Sequence, residues 1–278
     1  MASAHIVGWQ LVTEVRIDRL FCLRGSAEGT RSVSRIARER LLPRAARIGL
    51  VPAKSRVSTE STDDYLKAIL ELSGPDGVRV TSNALAHQLS VRAASVTGML
   101  KKLAALRPPF VKYEKHHGVR LTEAGKYRAL EVLRHHRLLE RFLHDILDYS
   151  WDEVHEEAER LEHYISERLE DRIAAKLGDP ETDPHGHPIP EKDGVIAVRD
   201  EIALSNCPCG VPAIISSVSD RDSAALRELE RLGLVPGTAV IVDPGTRKAS
   251  VLVRIAGRPQ CRLSRVLASD IQVIRQTA

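Results

Sequence analysis

The chain has 278 residues, 43% hydrophobic, 28% charged and only 4% aromatic, which is enough apolar material for more than one buried core. No apolar run approaches the roughly 18–20 residues of a membrane span, and the N-terminal residues do not read as a secretory signal, so the expectation is a cytoplasmic protein with no membrane contact. The net charge of +4 is unevenly spread: residues 1–57 carry +7, 58–134 +4, 135–195 −10 and 196–278 +3, a basic portion suited to a polyanion beside an acidic one suited to cations.

Residues 1–57 lack a sustained apolar period and are rich in arginine (Arg31, Arg35, Arg38, Arg40, Arg44, Arg47), which predicts a disordered or weakly helical basic extension. At residue 61 a helix begins, with Ser61 or Thr62 as its cap, Asp63 and Asp64 in the first turn, and Tyr65, Ile69 and Leu72 on one face. The run Ser73-Gly74-Pro75-Asp76-Gly77 ends it. A short helix over 83–89, a turn at Ser90-Val91 and a longer helix over 93–105 then make a helix-turn-helix, and 110–121 reads as two short strands around a Gly-containing turn, a wing. Thr122 caps a long helix reaching about 147, and a second helix is expected over 152–177. Pro180, Pro184, Pro188 and Pro190 mark 178–194 as a linker. Beyond it, short apolar runs at 213–218, 239–242 and 250–255, with a helix over 221–232, fit a small β-barrel.

A helix-turn-helix reads DNA with the start of its second helix, here Arg92, Ala93, Ala94, Ser95 and Thr97. Arg92 can donate two hydrogen bonds to guanine, the small alanines allow close approach, and hydroxyls reach phosphates. Lys101, Lys102, Lys112, Lys115 and Arg120 would add phosphate contacts. In the acidic portion, His155, Glu159, Glu162 and His163 stand at i, i+4, i+7 and i+8, on one face of a helix, while His136 and Glu140, four apart, project from the preceding one. Six ligand-type side chains on two neighbouring helices suit a divalent cation; a solvated acidic surface is the plainer alternative. His185 and His187, in a polar linker, read as surface residues, and Cys207 and Cys209 as loop residues. With Cys22 and Cys261 they are too scattered for a disulfide framework or a four-cysteine zinc site.

Ser61-Thr62-Asp63-Asp64-Tyr65-Leu66, residues 85–103, His136-Arg137-Leu138-Leu139-Glu140-Arg141, the stretch 154–163, and Gly186-His187-Pro188-Ile189-Pro190 together resemble the diphtheria-toxin-repressor (DtxR/MntR) family of metal-dependent transcriptional regulators. The likeness runs from about residue 58 to the C-terminus. It rests most specifically on His-x-x-x-Glu-x-x-Glu-His followed by Gly-x-Pro-Ile-Pro.

The resemblance implies a mainly α fold with small β elements: a winged helix-turn-helix DNA-binding domain over 58–127, a helical metal-binding and dimerisation domain over 128–195, and an SH3-like (FeoA-like) β-barrel over 196–278. It implies a primary metal site at Asp64, Glu159, Glu162 and His163 and a second at His136, Glu140 and His155, with Asp222 offered from the barrel; the other barrel position falls on Ala225, which cannot ligate. Iron-type members carry sulfur ligands where this chain has Asp64 and Glu159, so the carboxylates favour manganese(II), with iron(II) next. Paired-metal members carry glutamate at the position of Lys67, so two separate sites are implied rather than a close pair. The function implied is a manganese(II)- or iron(II)-dependent homodimeric repressor of metal-uptake genes on a palindromic double-stranded operator, with no small organic substrate. Two rivals stand beside it: a carboxylate-bridged metalloenzyme, although the acidic helices carry no Glu-x-x-His, and a DNA-binding protein indifferent to metal.

Overall fold

The computed structural model describes residues 60–74, 76–245 and 248–276. The basic extension expected over 1–57 lies outside the described residues.

The first elements are α1 (Glu60–Ser73), α2 (Ser82–Gln88), α3 (Ala93–Ala104), β1 (Val111–Glu114) and β2 (Gly118–Leu121). Tyr65, Leu66 and Ile69 of α1, Leu85 of α2, Val96, Leu100 and Leu103 of α3, and Val111 and Val119 of the hairpin share one apolar core. Helix α1 already starts at Glu60, so Ser61 and Thr62 lie in its first turn and do not cap it. Thr81 caps α2 by accepting from the Ala84 N–H at 3.2 Å. The wing has a third strand position that sequence pattern does not announce, since Val80 pairs with Val119 on the other edge of β2.

Helix α4 (Glu123–Leu147) has 25 residues, about 37 Å of rise. Thr122 starts it, accepting from Gly125 N–H at 3.1 Å. Its N-terminal half lends Ala129 to the first core, and its C-terminal half lends Leu138, Leu139 and Leu143 to a second core with Val154, Ala158, Ile173 and Ile189. One stiff helix therefore spans both units. Arg128 on α4 donates to both oxygens of buried Asp63, at 2.9 and 2.6 Å, and so clamps α1 beside Asp64.

The single helix expected over 152–177 is two: α5 (Val154–Leu161) and α6 (Glu167–Leu177). Ser166 accepts from the Leu169 N–H and starts the second, so the chain turns at 162–165. Glu162 and His163 consequently sit at the end of α5 rather than along a continuous helical face.

After the linker come β3 (Ile202–Ala203), β4 (Pro212–Val218), α7 (Ser223–Leu232), β5 (Ala239–Val242), β6 (Ser250–Ile255), β7 (Cys261–Ser264), α8 (Arg265–Ser269) and β8 (Ile271–Arg275). The strands form one antiparallel sheet in the order β3-β8-β4-β5-β6-β7 around a core that includes Leu204, Ile215, Leu226, Val253 and Ile271. Periodicity identified three of these six strands; β3, β7 and β8 are short or polar enough to be missed. Where β4 pairs with β8, the register slips between Ile215 and Ser217, a bulge at Ser216.

Candidate metal centre

Asp64 stands on α1, inside the first unit, and meets residues from the end of α5. Its Oδ1 lies 3.1 Å from His163 Nε2, and that nitrogen is 3.6 Å from Glu162 Oε1. One donor atom from each of Asp64, Glu162 and His163 falls within 4.8 Å of the others, the span of one coordination sphere. Glu159, expected in the same set, is turned elsewhere: its Oε1 accepts from Lys67 Nζ at 2.6 Å.

A second cluster gathers around Glu140 on α4. His136 Nε2 is 3.0 Å from Glu140 Oε1 and 3.2 Å from His155 Nδ1. The β-domain contributes Asp220, with Oδ2 3.6 Å from His155 Nδ1. This corrects the expectation for Asp222, whose carboxylate is spent capping α7 through the Ala224 and Ala225 N–H groups at 2.9 and 3.1 Å. Asp220, two residues earlier, lies just past the end of β4 and reaches His155.

The linker histidines also depart from expectation. His185 is fully buried, stacked on Trp151 at 5.8 Å between ring centroids, with Nδ1 3.8 Å from Glu140 Oε1. His187 Nδ1 is 3.2 Å from Asp183 Oδ2 and 3.9 Å from Asp220 Oδ2. Asp183, His185 and His187 make a third donor group. The Asp-x-His-x-His spacing was its signal: alternate residues of an extended segment share a face.

The donor chemistry fits a hard or borderline divalent ion, since every group is a carboxylate or an imidazole and none is a thiolate. His163 Nδ1 lies 3.7 Å from Asp63 Oδ2, on the other side of the ring from Asp64. Two buried atoms beside these clusters have no hydrogen-bond partner, His185 Nδ1 and Glu140 Oε2. Leaving such atoms unpaired is costly unless a ligand uses the site. A cleft of about 910 Å³, lined among others by Asp64, His136, His155, Glu159 and Asp220, gives solvent access.

Burial disfavours the imidazolium of His136, but Glu140, with hydrogen bonds to Glu140 and Glu162, pushes it up to about 10. Burial likewise opposes the charged form of His163, and Asp63 and Asp64 outweigh it to give about 10. His185 rises to about 9, where Glu140 overcomes its burial. Burial would lower the Lys67 ammonium as well, yet Glu162 and Glu159 push it up to about 12.

At the other end of the first unit, Arg92, Ala94, Ser95, Lys101, Lys102, Lys112, Lys115 and Arg120 are all solvent-exposed. Lys112 and Arg120 face each other across the hairpin and share one side of the wing. The Thr97 hydroxyl differs, donating to the Ala93 carbonyl at 3.2 Å along its own helix. Among the described residues no helix is long and apolar enough to cross a membrane.

Comparison with known proteins covers the same stretches. Residues 58–119 match the iron-dependent repressor N-terminal DNA-binding domain, 122–191 the iron-dependent repressor metal-binding and dimerisation domain, and 202–275 the FeoA domain. The chain is 29% identical over 227 residues to the iron-dependent repressor IdeR of Mycobacterium leprae, covering 77% of this chain and 96% of that protein. It is similar to a solved manganese-dependent transcriptional repressor in complex with manganese, at 36% identity and a TM-score of 0.72 over 77% of this chain and all of the other. The manganese regulator SloR is 31% identical with a TM-score of 0.63, over 77% of this chain and 98% of its own.

Proposed function

The chain belongs to the family of metal-dependent, DNA-binding repressors of the iron-dependent repressor type, and from that premise we propose that it is activated by manganese(II), with iron(II) the next candidate, to hold metal-uptake operators as a homodimer. The observation that carries the proposal is the origin of the ligands. Asp64 comes from the helix-turn-helix unit, and Glu162 and His163 come from the helical unit that follows. A divalent ion would supply the charge that lets these acidic groups converge, and the residues themselves fix how the two units stand. In a two-fold dimer that angle sets the spacing of the two α3 helices, which must match half-sites about one helical turn apart, or a multiple of it. DNA in turn raises metal affinity by the same factor. The metalloenzyme rival falls with the family assignment.

The oxygen-rich donors favour manganese or iron over soft ions. The deciding experiment is fluorescence anisotropy on the protein's own upstream DNA, first in chelator and then with manganese, iron or zinc at fixed salt. Affinity that rises steeply with manganese supports the proposal; affinity unmoved by any metal leaves a DNA-binding protein with an acidic face and sinks it.

Protons compete for the same sites, and the sign follows from the raised histidines. His136 and His163, held near 10 in the metal-free protein, are charged at pH 7 and must lose a proton to bind metal. Metal affinity is therefore expected to keep rising above pH 7, about tenfold per unit for each imidazole displaced. In chelator the same raised values stabilise the fold fully below the unfolded pKa of about 6.5, an advantage lost as pH rises through about 10. Calorimetry in two buffers of different ionisation heat counts the protons; none released at pH 7 would contradict these assignments.

Exposed base and phosphate contacts separate by salt. Lys112→Ala and Arg120→Ala are each expected to weaken binding to every sequence and to lower the slope of log K against log salt by about 0.9. Arg92→Ala is expected to cost about 1–3 kcal/mol and relax preference at one base pair. A variant with wild-type slope and preference leaves the contact set.

A further inference from the structure

Lys67 projects from α1 into the middle of the acidic groups. It is 7% exposed, and lysine is almost never this buried without a counter-charge. Its ammonium lies 2.6 Å from Glu159 Oε1, 3.0 and 2.8 Å from the two oxygens of Glu162, and 3.2 Å from His136 Nδ1. The same three residues, His136, Glu159 and Glu162, form a donor group whose atoms lie within 4.8 Å of one another. The ammonium thus sits where a divalent ion bound by that group would sit, and it needs the same oxygens.

We propose that Lys67 is a resident cation of the cleft: it takes the place of one divalent ion among His136, Glu159 and Glu162, leaves Asp64, Glu162 and His163 to take up the activating metal, and ties α1 to α5 whether or not that metal is present. The inference rests on the metal reading above and adds who fills the remaining donor group. Three ammonium hydrogens meet Glu159 Oε1 and both oxygens of Glu162, so the carboxylate oxygens gathered around this position are already engaged. Glu159 then acts as the counter-ion of Lys67 rather than as a metal ligand. A protein tied in this way keeps the contact between α1 and the end of α5 in chelator.

The test compares the full chain with Lys67→Met, which keeps an unbranched side chain one atom shorter and removes its charge, and with Lys67→Arg, which restores the charge. Manganese is counted per chain after equilibrium dialysis, its spin-resonance spectrum is recorded, and melting is followed in chelator. Lys67→Met is expected to bind one more ion per chain than wild type. Because Glu162 belongs to both donor groups, the added ion shares a carboxylate with the first, and the isolated six-line manganese spectrum gives way to a coupled one. In chelator, Lys67→Met is expected to melt roughly 5–10 °C lower, with Lys67→Arg recovering the wild-type ion count. An equal ion count in wild type and Lys67→Met, with equal melting in chelator, overturns the proposal. So does release of a lysine proton when wild type binds manganese, which would show the ammonium displaced. Wild type and Lys67→Met both taking up no manganese would instead refute the metal reading, while the melting difference would still report the tie made by Lys67.

Discussion

Glu162→Gln and His163→Ala are each expected to erase the gain in operator affinity that manganese brings, a loss on the order of 10- to 100-fold for a coupling of ordinary size. Glu162 is the pivot: one oxygen lies 3.6 Å from His163 Nε2 and the other 2.5 Å from His136 Nδ1, and both accept from Lys67. Glutamine keeps the shape and removes the charge, so the set that would hold the ion loses a charged donor and Lys67 keeps only Glu159 as a charged partner. His163→Ala removes the imidazole that faces Asp64 and leaves the Lys67 cage untouched. The two variants should therefore agree in anisotropy, and in chelator both melt lower for different reasons: His163→Ala forfeits the imidazolium held by Asp63 and Asp64, and Glu162→Gln leaves Lys67 one counter-charge short. Sedimentation checks that the dimer survives, since neither side chain belongs to the apolar cluster between α4, α5 and α6. Undiminished manganese stimulation in either variant removes that residue from the activating set.

How far the centre could be read from sequence depended on whether its ligands lay on one element. His136 and Glu140, four apart on α4, meet in the cluster as their spacing implies. Glu162 and His163 were found by a periodicity that α5 does not sustain, because Ser166 restarts the helix; they converge on Asp64 at a turn. Glu159 shares their period yet points to Lys67, a pairing across 92 residues that no local pattern encodes. Asp220 and Asp222 illustrate the same limit. Both are acidic and adjacent to the start of α7, and only the tertiary position of the β4 edge decides which one faces His155. The burial of the linker histidine His185 is not legible in the sequence, because proline-rich, polar sequence usually lies on the surface. Here the segment is pinned: the Val218 N–H donates to the His185 carbonyl at 3.0 Å, and Arg199 donates to the Gly186 carbonyl at 2.9 Å.

That pinning makes Gly186→Ala the most damaging single methyl expected in the β-domain junction. Gly186 has φ +90°, and a Cβ there would lie 2.1 Å from the Ser216 carbonyl oxygen, the bulged residue of β4. Backbone on both sides leaves no flexible side chain to move aside, so the linker and the sheet must separate. Strain and clash together cost about 3 kcal/mol, or roughly 6–12 °C in melting for a chain of this size. Gly178→Ala is the matched control, because Gly178 has φ +74° with nothing within 4 Å of the added carbon, leaving conformational strain of about 1 kcal/mol alone. The functional consequence follows from the neighbours on each side. His185 and His187 flank Gly186 and reach Glu140 and Asp220, at 3.8 and 3.9 Å, so a shift of the linker opens the second cluster while Asp64, Glu162 and His163 stay in place. Gly186→Ala should therefore lose manganese from the second cluster and keep manganese-stimulated DNA binding at reduced strength. If Gly186→Ala instead melts and binds manganese like Gly178→Ala, the linker does not hold the β-domain against the helices, and Asp220 would have to reach the cluster by another route.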